Sequence, residues 1–337
     1  MLTYRHFLKM TDDTGILQFS RLDQPDPDSG HTLDDNARAL MLSIFMEDGH
    51  DLAMKFLGFM DDCRQEDGSW SNLLLKGRYS SLINSEDSIG RALLACSVGY
   101  SNCEWEDVKL GCRNMLQDNL PLTINFTSPR AVAYTLTALA LGEAVKKVHT
   151  INTMAEYLLS LYQNTRSKGW YWFENYMTYC NGILPQAMIA AYEITGDKRH
   201  LKVGLESLNF LNGTLFRDGY LNIIGNQGWY QKGQAIPLYD QQPVDAASIA
   251  FACHQAYTMT AKTEYLELAR RAHAWYFGAN VNGASLYNTD TGGCYDALTP
   301  AGVNLNQGAE AVLSLLLTDR LISASAAASE TAAGKTS

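Results

Sequence analysis

The chain has 337 residues, of which 46% are hydrophobic and 18% charged, and its formal net charge is −10. This composition is typical of a globular protein with many buried helices and excludes a disordered or fibrous chain. No Lys/Arg-rich run is present, so we expect no nucleic-acid partner. No stretch approaches the roughly 20 apolar residues of a membrane-spanning helix, so we expect no membrane partner.

The N-terminus and the cysteines indicate the compartment. The segment from Met1 to His6 lacks the apolar run and the small-residue cleavage site of a secretory signal. The seven cysteines form no Cys-x-x-Cys pair, and their odd number favours reduced thiols over a disulfide framework. We therefore expect a soluble, cytoplasmic protein. The seven histidines are scattered along the chain, so the sequence predicts no metal site and no cofactor.

A helical repeat runs along the chain. Six segments begin with polar or acidic residues and continue as helices that are apolar nearly all round, as expected for helices buried on both sides. After five of them we predict a second, amphipathic helix, near residues 50–64, 104–117, 149–164, 198–214 and 263–279. The six inner segments start at Asp34, Glu86, Ser128, Asn181, Pro243 and Asn306.

This repeat predicts an all-α fold, an (α/α)6 toroid of six helical hairpins. The short segment at residues 4–10 is expected to take the place of the sixth outer helix. We predict a single toroid domain over residues 1–322 and a disordered, low-complexity tail over residues 323–337. Because the inner helices of such a ring are parallel, their N-termini and the long loops before them meet at one rim.

Charged residues are concentrated at this rim. Acids occur there in pairs, such as Asp34-Asp35 and Glu86-Asp87, although a helix cap requires only one. Arginines follow one helical turn later, where they either form internal salt bridges or orient a carboxylate or an anionic substrate group. The candidate substrate-binding residues of this kind are Asp13, Asp34, Arg38, Glu86, Asp87, Arg91 and Arg130.

Aromatic and amide side chains are dense in the loops of the same rim. Aromatic rings beside carboxylates and amides suit sugars, which present apolar C–H faces and a rim of hydroxyl groups. Core packing is the alternative for each tryptophan, but three aromatic residues in a row at positions 170–172 are not expected all to face the core from a loop. The candidate substrate-binding residues of this kind are Trp70, Trp170, Trp172, Tyr179, Asn181, Gln242 and Asn306.

An ordered set of motifs resembles a bacterial family of uncharacterised six-hairpin proteins that are often described as glycosyltransferase-associated. The motifs lie at residues 11–16, 34–40, 85–92, 178–181, 240–246, 292–296 and 304–310, and the resemblance spans about residues 5–322. More loosely, the chain is similar to six-hairpin glycosidases and to sugar epimerases. The resemblance implies a carbohydrate-related role, a cytoplasmic setting and a glycosyltransferase as a possible partner. This chain has Cys180 where the family usually has Asp.

Three functions compete. The first is a glycoside hydrolase-like enzyme acting on an oligosaccharide or glycan, with Glu174 or Glu310 as general acid and Asp35 or Asp245 as base. A helix N-terminus lowers the pKa of a carboxyl, whereas a general acid needs a raised pKa, which favours Glu174 as the acid. The second is a sugar epimerase or isomerase that uses His31, the one histidine near an inner-helix start. The third is a non-catalytic, glycan-binding or glycosyltransferase-associated module.

Overall fold

Six inner helices form a closed ring. A computed structural model describes residues 2–66, 68–80, 85–142 and 148–334, with side chains as far as residue 327. Each inner helix packs against the next along the chain, and the last packs against the first. The all-α (α/α)6 fold predicted from the repeat is thus confirmed. The inner helices are α2 (Leu33–Ser43), α4 (Glu86–Asn102), α6 (Pro129–Leu141), α8 (Ile183–Thr195), α10 (Pro243–Thr260) and α12 (Ala309–Gly334).

An outer layer of six helices surrounds the ring, and each outer helix packs against its inner partner. Five of them lie where the amphipathic pattern predicts a helix. The sixth is the N-terminal helix, which packs against α12 and takes the place expected of residues 4–10. The outer helices are α1 (Arg5–Met10), α3 (His50–Asp62), α5 (Glu106–Asn119), α7 (Val148–Thr165), α9 (Lys198–Leu215) and α11 (Thr263–Ala274).

Local sequence explains where several inner helices begin and how closely they pack. The hydroxyls of Thr32, Ser85 and Ser128 cap α2, α4 and α6 by accepting a hydrogen bond from a first-turn N–H. Gly90 lets α4 approach α6, because a Cβ atom there would lie 2.9 Å from the backbone oxygen of Ala131. Small side chains of this kind allow the inner helices to form a narrow ring.

The rim loops contain short antiparallel strands. They form four two-stranded sheets and one sheet of three strands, β3-β4-β5, in the described part of the chain. Two short 3-10 helices, Pro27–Ser29 and Leu120–Asn125, also lie in connecting segments. The strands are β1 (Ser20–Arg21), β2 (Gln24–Pro25), β3 (His31–Thr32), β4 (Leu73–Leu75), β5 (Arg78–Ser80), β6 (Tyr176–Met177), β7 (Tyr230–Gln231), β8 (Tyr287–Asn288), β9 (Gly293–Cys294), β10 (Ala297–Thr299) and β11 (Gly302–Asn304).

The C-terminal segment continues the last inner helix. Helix α12 continues through Ser323 to Gly334, so most of the low-complexity segment is helical. The segment is rich in alanine, which has the highest helix propensity, and it extends a helix that already exists. Residues 335–337 lie outside the described residues. Among the helices that the structure describes, none combines the length and apolar character that a membrane span requires.

Candidate functional site

A polar cavity of about 360 Å³ lies at the rim, at the N-terminal ends of α2, α10 and α12. Five carboxylates and five amide side chains line it, but Phe19 is its one aromatic residue. The structure therefore brings four of the predicted site residues together at this cavity, Asp34, Asp35, Gln242 and Glu310, without the expected aromatic lining. The polar lining residues are Gln18, Asp34, Asp35, Asn72, Asn226, Asp240, Gln242, Asp296, Asn304 and Glu310.

The Arg38 guanidinium links two of these carboxylates, Asp35 on its own helix α2 and Glu310 on the neighbouring inner helix α12. Its Nη1 lies 2.8 Å from Asp35 Oδ1, and its Nη2 lies 2.8 Å from Glu310 Oε2. The Arg38 side chain is 9% exposed, whereas that of Glu310 is 41% exposed and faces the cavity. Arg38 therefore forms an internal salt bridge that joins α2 to α12.

Asp34 and Asp35 are adjacent but have opposite pKa shifts. Burial raises the pKa of Asp34, but the charges of Arg38 and Arg91 outweigh that effect and the net pKa is lowered. Burial and the negative charge of Asp34 raise the pKa of Asp35 to about 7, against the opposing effect of Arg38. Asp35 also accepts a hydrogen bond from the Thr32 hydroxyl at 2.7 Å. One adjacent carboxylate therefore favours the ionised form and the other the protonated form.

Arg91 pairs with Asp34, one of the cavity carboxylates. Its Nη1 lies 3.3 Å from Asp34 Oδ2, and its guanidinium lies over the Tyr134 ring at 5.0 Å from the centroid. Further along the inner helices, Arg38 and Arg91 also line a smaller, mostly apolar cavity of about 110 Å³, together with Cys180 and Tyr134. The ion-paired arginines thus separate the polar cavity of the rim from the apolar centre of the ring.

Asp296 is a cavity carboxylate that the sequence analysis did not select. It lies between β9 and β10, and its Oδ1 accepts a hydrogen bond from the Gly308 N–H at 2.6 Å. Burial and the charge of Glu310 raise its pKa to about 6, although the Gly308 hydrogen bond opposes this. Its position at the end of the motif at residues 292–296 is the one sequence signal for it. No helix start is predicted there, and most of the candidate acids lie at predicted helix starts.

Asp245 is buried behind the cavity and does not line it. Its Oδ1 accepts a hydrogen bond from the Cys180 N–H at 2.5 Å, and its Oδ2 has no hydrogen-bond partner among the described residues. Burial raises its pKa to about 7, with the charge of Glu310 adding to that effect and the Cys180 hydrogen bond opposing it. Cys180 adopts a positive φ of 46°, a conformation that few side chains other than Gly or Asn favour. The contact fixes the loop before α8 against α10.

Glu174 belongs to a separate network on the far side of the ring. Its carboxylate pairs with Arg130 at 2.9 Å, and both side chains are at least nine-tenths buried. Arg130 also donates to the Tyr179 backbone oxygen at 2.7 Å and to Asn181 Oδ1 at 3.2 Å. The Tyr179 hydroxyl donates to Asp87 Oδ2 at 2.6 Å. These predicted site residues do come together, but none of them lines the polar cavity.

Glu86 connects neighbouring hairpins. Its carboxylate accepts hydrogen bonds from the N–H groups of Thr127 and Ser128, at 2.7 and 2.6 Å. Ser128 in turn caps α6 and donates its hydroxyl to Asp87 at 2.6 Å. The paired acids at this inner-helix start therefore join α4 to the start of α6, and this explains why two acids occur where a cap requires one.

The three tryptophans selected from the rim loops lie in the protein core, which corrects their assignment to a sugar-binding surface. Trp70, Trp170 and Trp172 are at most 3% exposed. The indole N–H of Trp70 donates to the Met60 backbone oxygen, and that of Trp170 to the Glu174 backbone oxygen, both within 2.9 Å. Large rings anchor these loops on the outer helices because each buries a large apolar area.

Asp13, Asn306 and His31 also lie away from the cavity lining. Asp13 is exposed in the turn before Gly15, and Asn306 accepts a hydrogen bond from the Leu22 N–H at 2.9 Å. His31 lies 3.0 Å from the Asp12 carboxylate and packs against Phe59 of the outer helix α3. The histidine that the epimerase hypothesis requires is therefore not at the cavity.

One cluster with metal-ligating side chains occurs in the described part of the chain, at Glu156, Asp197 and His200 on the outer layer. Arg199 pairs with both carboxylates, at 2.5 Å and 2.6 Å, so a positive charge already lies between them. Within the described residues, no such cluster lies at the polar cavity.

No family model matches the chain, and no curated protein sequence matches it. Solved structures do match over almost the whole chain. A sugar epimerase from a ruminal bacterium aligns with a TM-score of 0.70 and 14% identity, covering 95% of this chain and 97% of the epimerase. A cellobiose 2-epimerase from Bacillus thermoamylovorans aligns with a TM-score of 0.71 and 11% identity, covering 95% and 96%. A GH76 alpha-mannanase from Bacteroides thetaiotaomicron aligns with a TM-score of 0.59 and 13% identity, covering 87% and 86%. At these identities the similarity defines the fold: a six-hairpin toroid.

Proposed function

We propose that the protein is a glycoside hydrolase-like enzyme, in which Asp296 is the general acid and Glu310 the second carboxylate. The observation that carries the proposal is that two carboxylates in unlike environments line one cavity of about 360 Å³. Glycosidic bond cleavage needs such a pair, one group to protonate the leaving oxygen and one to act at the opposite side of the sugar.

The environments of the two groups support these roles. Burial beside Glu310 raises the pKa of Asp296 to about 6, so this carboxyl holds a proton near neutral pH more readily than an ordinary aspartic acid. Glu310 is paired with Arg38 at 2.8 Å, and its side chain is partly exposed to the cavity, where it can reach a substrate. Asp296 would donate its proton to the glycosidic oxygen as the C–O bond breaks. Glu310 would take a proton from the attacking water or bond to the anomeric carbon.

The proposed catalytic pair differs from the pair expected from the sequence, but the reaction is the same. Glu310 is retained as a catalytic carboxylate. Glu174 and Asp245 do not line the cavity, and Asp35 lines it but is held by Arg38 and Thr32. We assign Asp35, Gln242 and the other lining amides to substrate binding, because carboxylates and amides offer hydrogen bonds to sugar hydroxyls. The cytoplasmic setting and a glycosyltransferase partner stay predictions.

The test is product release from a panel of manno-, gluco- and galacto-oligosaccharides, read by chromatography in water and in phosphate buffer. We expect turnover that is abolished by Asp296→Asn and by Glu310→Gln. The matched controls Asp118→Asn and Glu106→Gln, which alter exposed ion pairs on α5, are expected to leave it unchanged. If Asp296 is the acid, kcat/KM falls as pH rises through about 6, because the carboxyl loses its proton. Unimpaired turnover in Asp296→Asn would refute the assignment.

A sugar epimerase or isomerase is the second candidate. The observation that favours it is that three of the solved structures that this chain resembles, with TM-scores of 0.70, 0.71 and 0.70, are sugar epimerases. Since His31 is not at the cavity, a cavity carboxylate would have to remove the proton. Incubation in D₂O distinguishes the two reactions, because epimerisation by proton exchange introduces deuterium on a sugar carbon whereas hydrolysis does not. Tight saccharide binding without either reaction would favour the third hypothesis, a non-catalytic glycan-binding module.

A further inference from the structure

A basic cleft of about 510 Å³ lies on the outer surface between α7 and α9, away from the polar cavity of the rim. Four cationic side chains and one carboxylate, Glu206, line it, and two further carboxylates, Glu156 and Asp197, pair with Arg199, which leaves an excess of one positive charge. The whole chain has a formal net charge of −10. A local excess of positive charge on an acidic protein attracts anions to this cleft. The cations are Arg166, Lys168, Arg199 and Lys202.

The two lysines are the cations available to a ligand. Arg199 pairs with Glu156 and Asp197, and Arg166 lies 3.2 Å from Glu206. Lys168 and Lys202 are exposed, and neither forms an ion pair within the described residues. Two ammonium groups at one cleft match an anion that carries two negative charges on several oxygen atoms, such as a phosphate monoester.

A buried hydroxyl in the cleft supports a ligand at this place. Tyr162 is 2% exposed, and its hydroxyl has no hydrogen-bond partner within the described residues. Burial and the neighbouring Glu206 carboxylate raise the pKa of this hydroxyl, and the neighbouring Arg166 opposes them. A buried hydroxyl without a partner carries a free-energy cost, which an acceptor oxygen bound in the cleft would remove.

The Tyr171 ring separates the basic cleft from a second, less charged one. The second cleft has a volume of about 480 Å³, shares Tyr171 and Glu206 with the first, and is also lined by Asn209, Phe210 and Thr214. Tyr171 packs edge-on against Phe210, and the Arg166 guanidinium lies 5.7 Å from its ring centroid. A ligand that extends from the cations past Tyr171 would therefore meet an aromatic surface and then amide and hydroxyl groups, which suit the C–H faces and hydroxyls of a sugar.

We propose that the cleft between α7 and α9 binds a phosphorylated sugar, with its phosphate between Lys168 and Lys202 and its ring against Tyr171. This site is separate from the rim cavity and does not depend on the function proposed for it. Because Arg166 and Lys168 lie on the loop that leads to Trp170 and Glu174, a ligand bound here contacts the connection between outer helix α7 and inner helix α8.

The test is isothermal titration calorimetry of the full chain with inorganic phosphate, a hexose 6-phosphate, the unphosphorylated hexose and adenosine monophosphate. We expect the hexose phosphate to bind, the free hexose not to bind, and affinity to fall as salt rises from about 0.05 to about 0.3 M. The double variant Lys168→Gln/Lys202→Gln is expected to weaken binding about tenfold or more, while Lys109→Gln, at a partly exposed lysine of α5, leaves it unchanged. Tyr171→Ala is expected to weaken binding of the hexose phosphate but not of inorganic phosphate.

Circular dichroism establishes that each variant is folded, and the rim variant Glu310→Gln is expected to bind the hexose phosphate as the wild type does. Absence of binding to inorganic phosphate and to the hexose 6-phosphate, or weakening by Lys109→Gln equal to that by the double lysine variant, would overturn the site. Tighter binding of adenosine monophosphate than of hexose phosphate would overturn its assignment to a sugar.

Discussion

Replacing Arg38 by methionine removes the cation that lies between Asp35 and Glu310 while keeping an apolar stem of similar length. The Arg38 side chain is 9% exposed, and it donates two charged hydrogen bonds, each of 2.8 Å. Removing one partner of a buried ion pair costs about 3–5 kcal/mol, because the remaining charge is left uncompensated. The bond to Glu310 contributes less than the bond to Asp35, since the Glu310 side chain is 41% exposed and solvent screens it. At pH 8.5 we therefore expect Arg38→Met to lower the free energy of unfolding mainly because Asp35 and Asp34 lose their neighbouring positive charge.

The loss of stability in Arg38→Met should depend on pH, and the pKa of Asp35 determines whether it grows or shrinks as the pH falls. Burial beside Asp34 raises this pKa to about 7, so the folded protein takes up a proton there before the unfolded chain does. Stability from this group is therefore gained as pH falls through about 7 and lost as pH rises. Without the Arg38 charge the pKa of Asp35 rises further, so the variant gains more than the wild type on acidification. We expect Arg38→Met to be less destabilising at pH 5.5 than at pH 8.5.

The assay is urea unfolding at both pH values, followed by tryptophan fluorescence and circular dichroism to check that the two probes give coincident transitions. Arg21→Gln is the matched control, because Arg21 pairs with Asp26 at 2.9 Å but is 79% exposed, and we expect a loss of less than about 1 kcal/mol there. A loss for Arg38→Met that is the same at both pH values, or as small as that of the control, would refute the reasoning.

Four further predictions concern packing and the burial of side chains. Gly182→Ala should lower the free energy of unfolding by about 1–3 kcal/mol, because the new Cβ would lie 2.2 Å from the Ser248 backbone oxygen. Gly58→Ala, a helical site with no atom within 4 Å of the new Cβ, should raise it by about 0.5–1 kcal/mol. Urea midpoints check both, and an equal effect of the two would contradict this account. Trp172→Ala removes a fully buried ring, so it should lower the free energy of unfolding by about 3–5 kcal/mol and the melting temperature with it. Weaker saccharide binding at unchanged stability would instead make Trp172 a binding residue. Ellman's reagent at pH 8 should find almost no reactive thiol before denaturation and seven after it. All seven cysteines are buried, and burial raises the pKa of Cys63 to about 12. Rapid reaction of several thiols in the native protein would be inconsistent with this.

The sequence alone was sufficient to predict the ring. The apolar inner segments, the amphipathic outer helices and the Ser and Thr residues at helix starts are local patterns, and helix formation and amphipathicity depend on residues within a few turns of each other. Even the sixth outer helix, Arg5–Met10, follows from the count of hairpins. The alanine-rich C-terminal segment shows the limit of composition, since the same residues that indicate low complexity also have high helix propensity.

Only the tertiary structure decided which rim residues share a cavity. Arg38 and Glu310 are 272 residues apart in the chain, and their contact exists because the last inner helix packs against the first. Asp296 joins them from a strand connection that carries no helical signal, while Glu174 is withdrawn by its pairing with Arg130. Which way a loop side chain points is set by packing between segments that are distant in sequence. A loop tryptophan can therefore lie in the core while a loop aspartate lines the cavity.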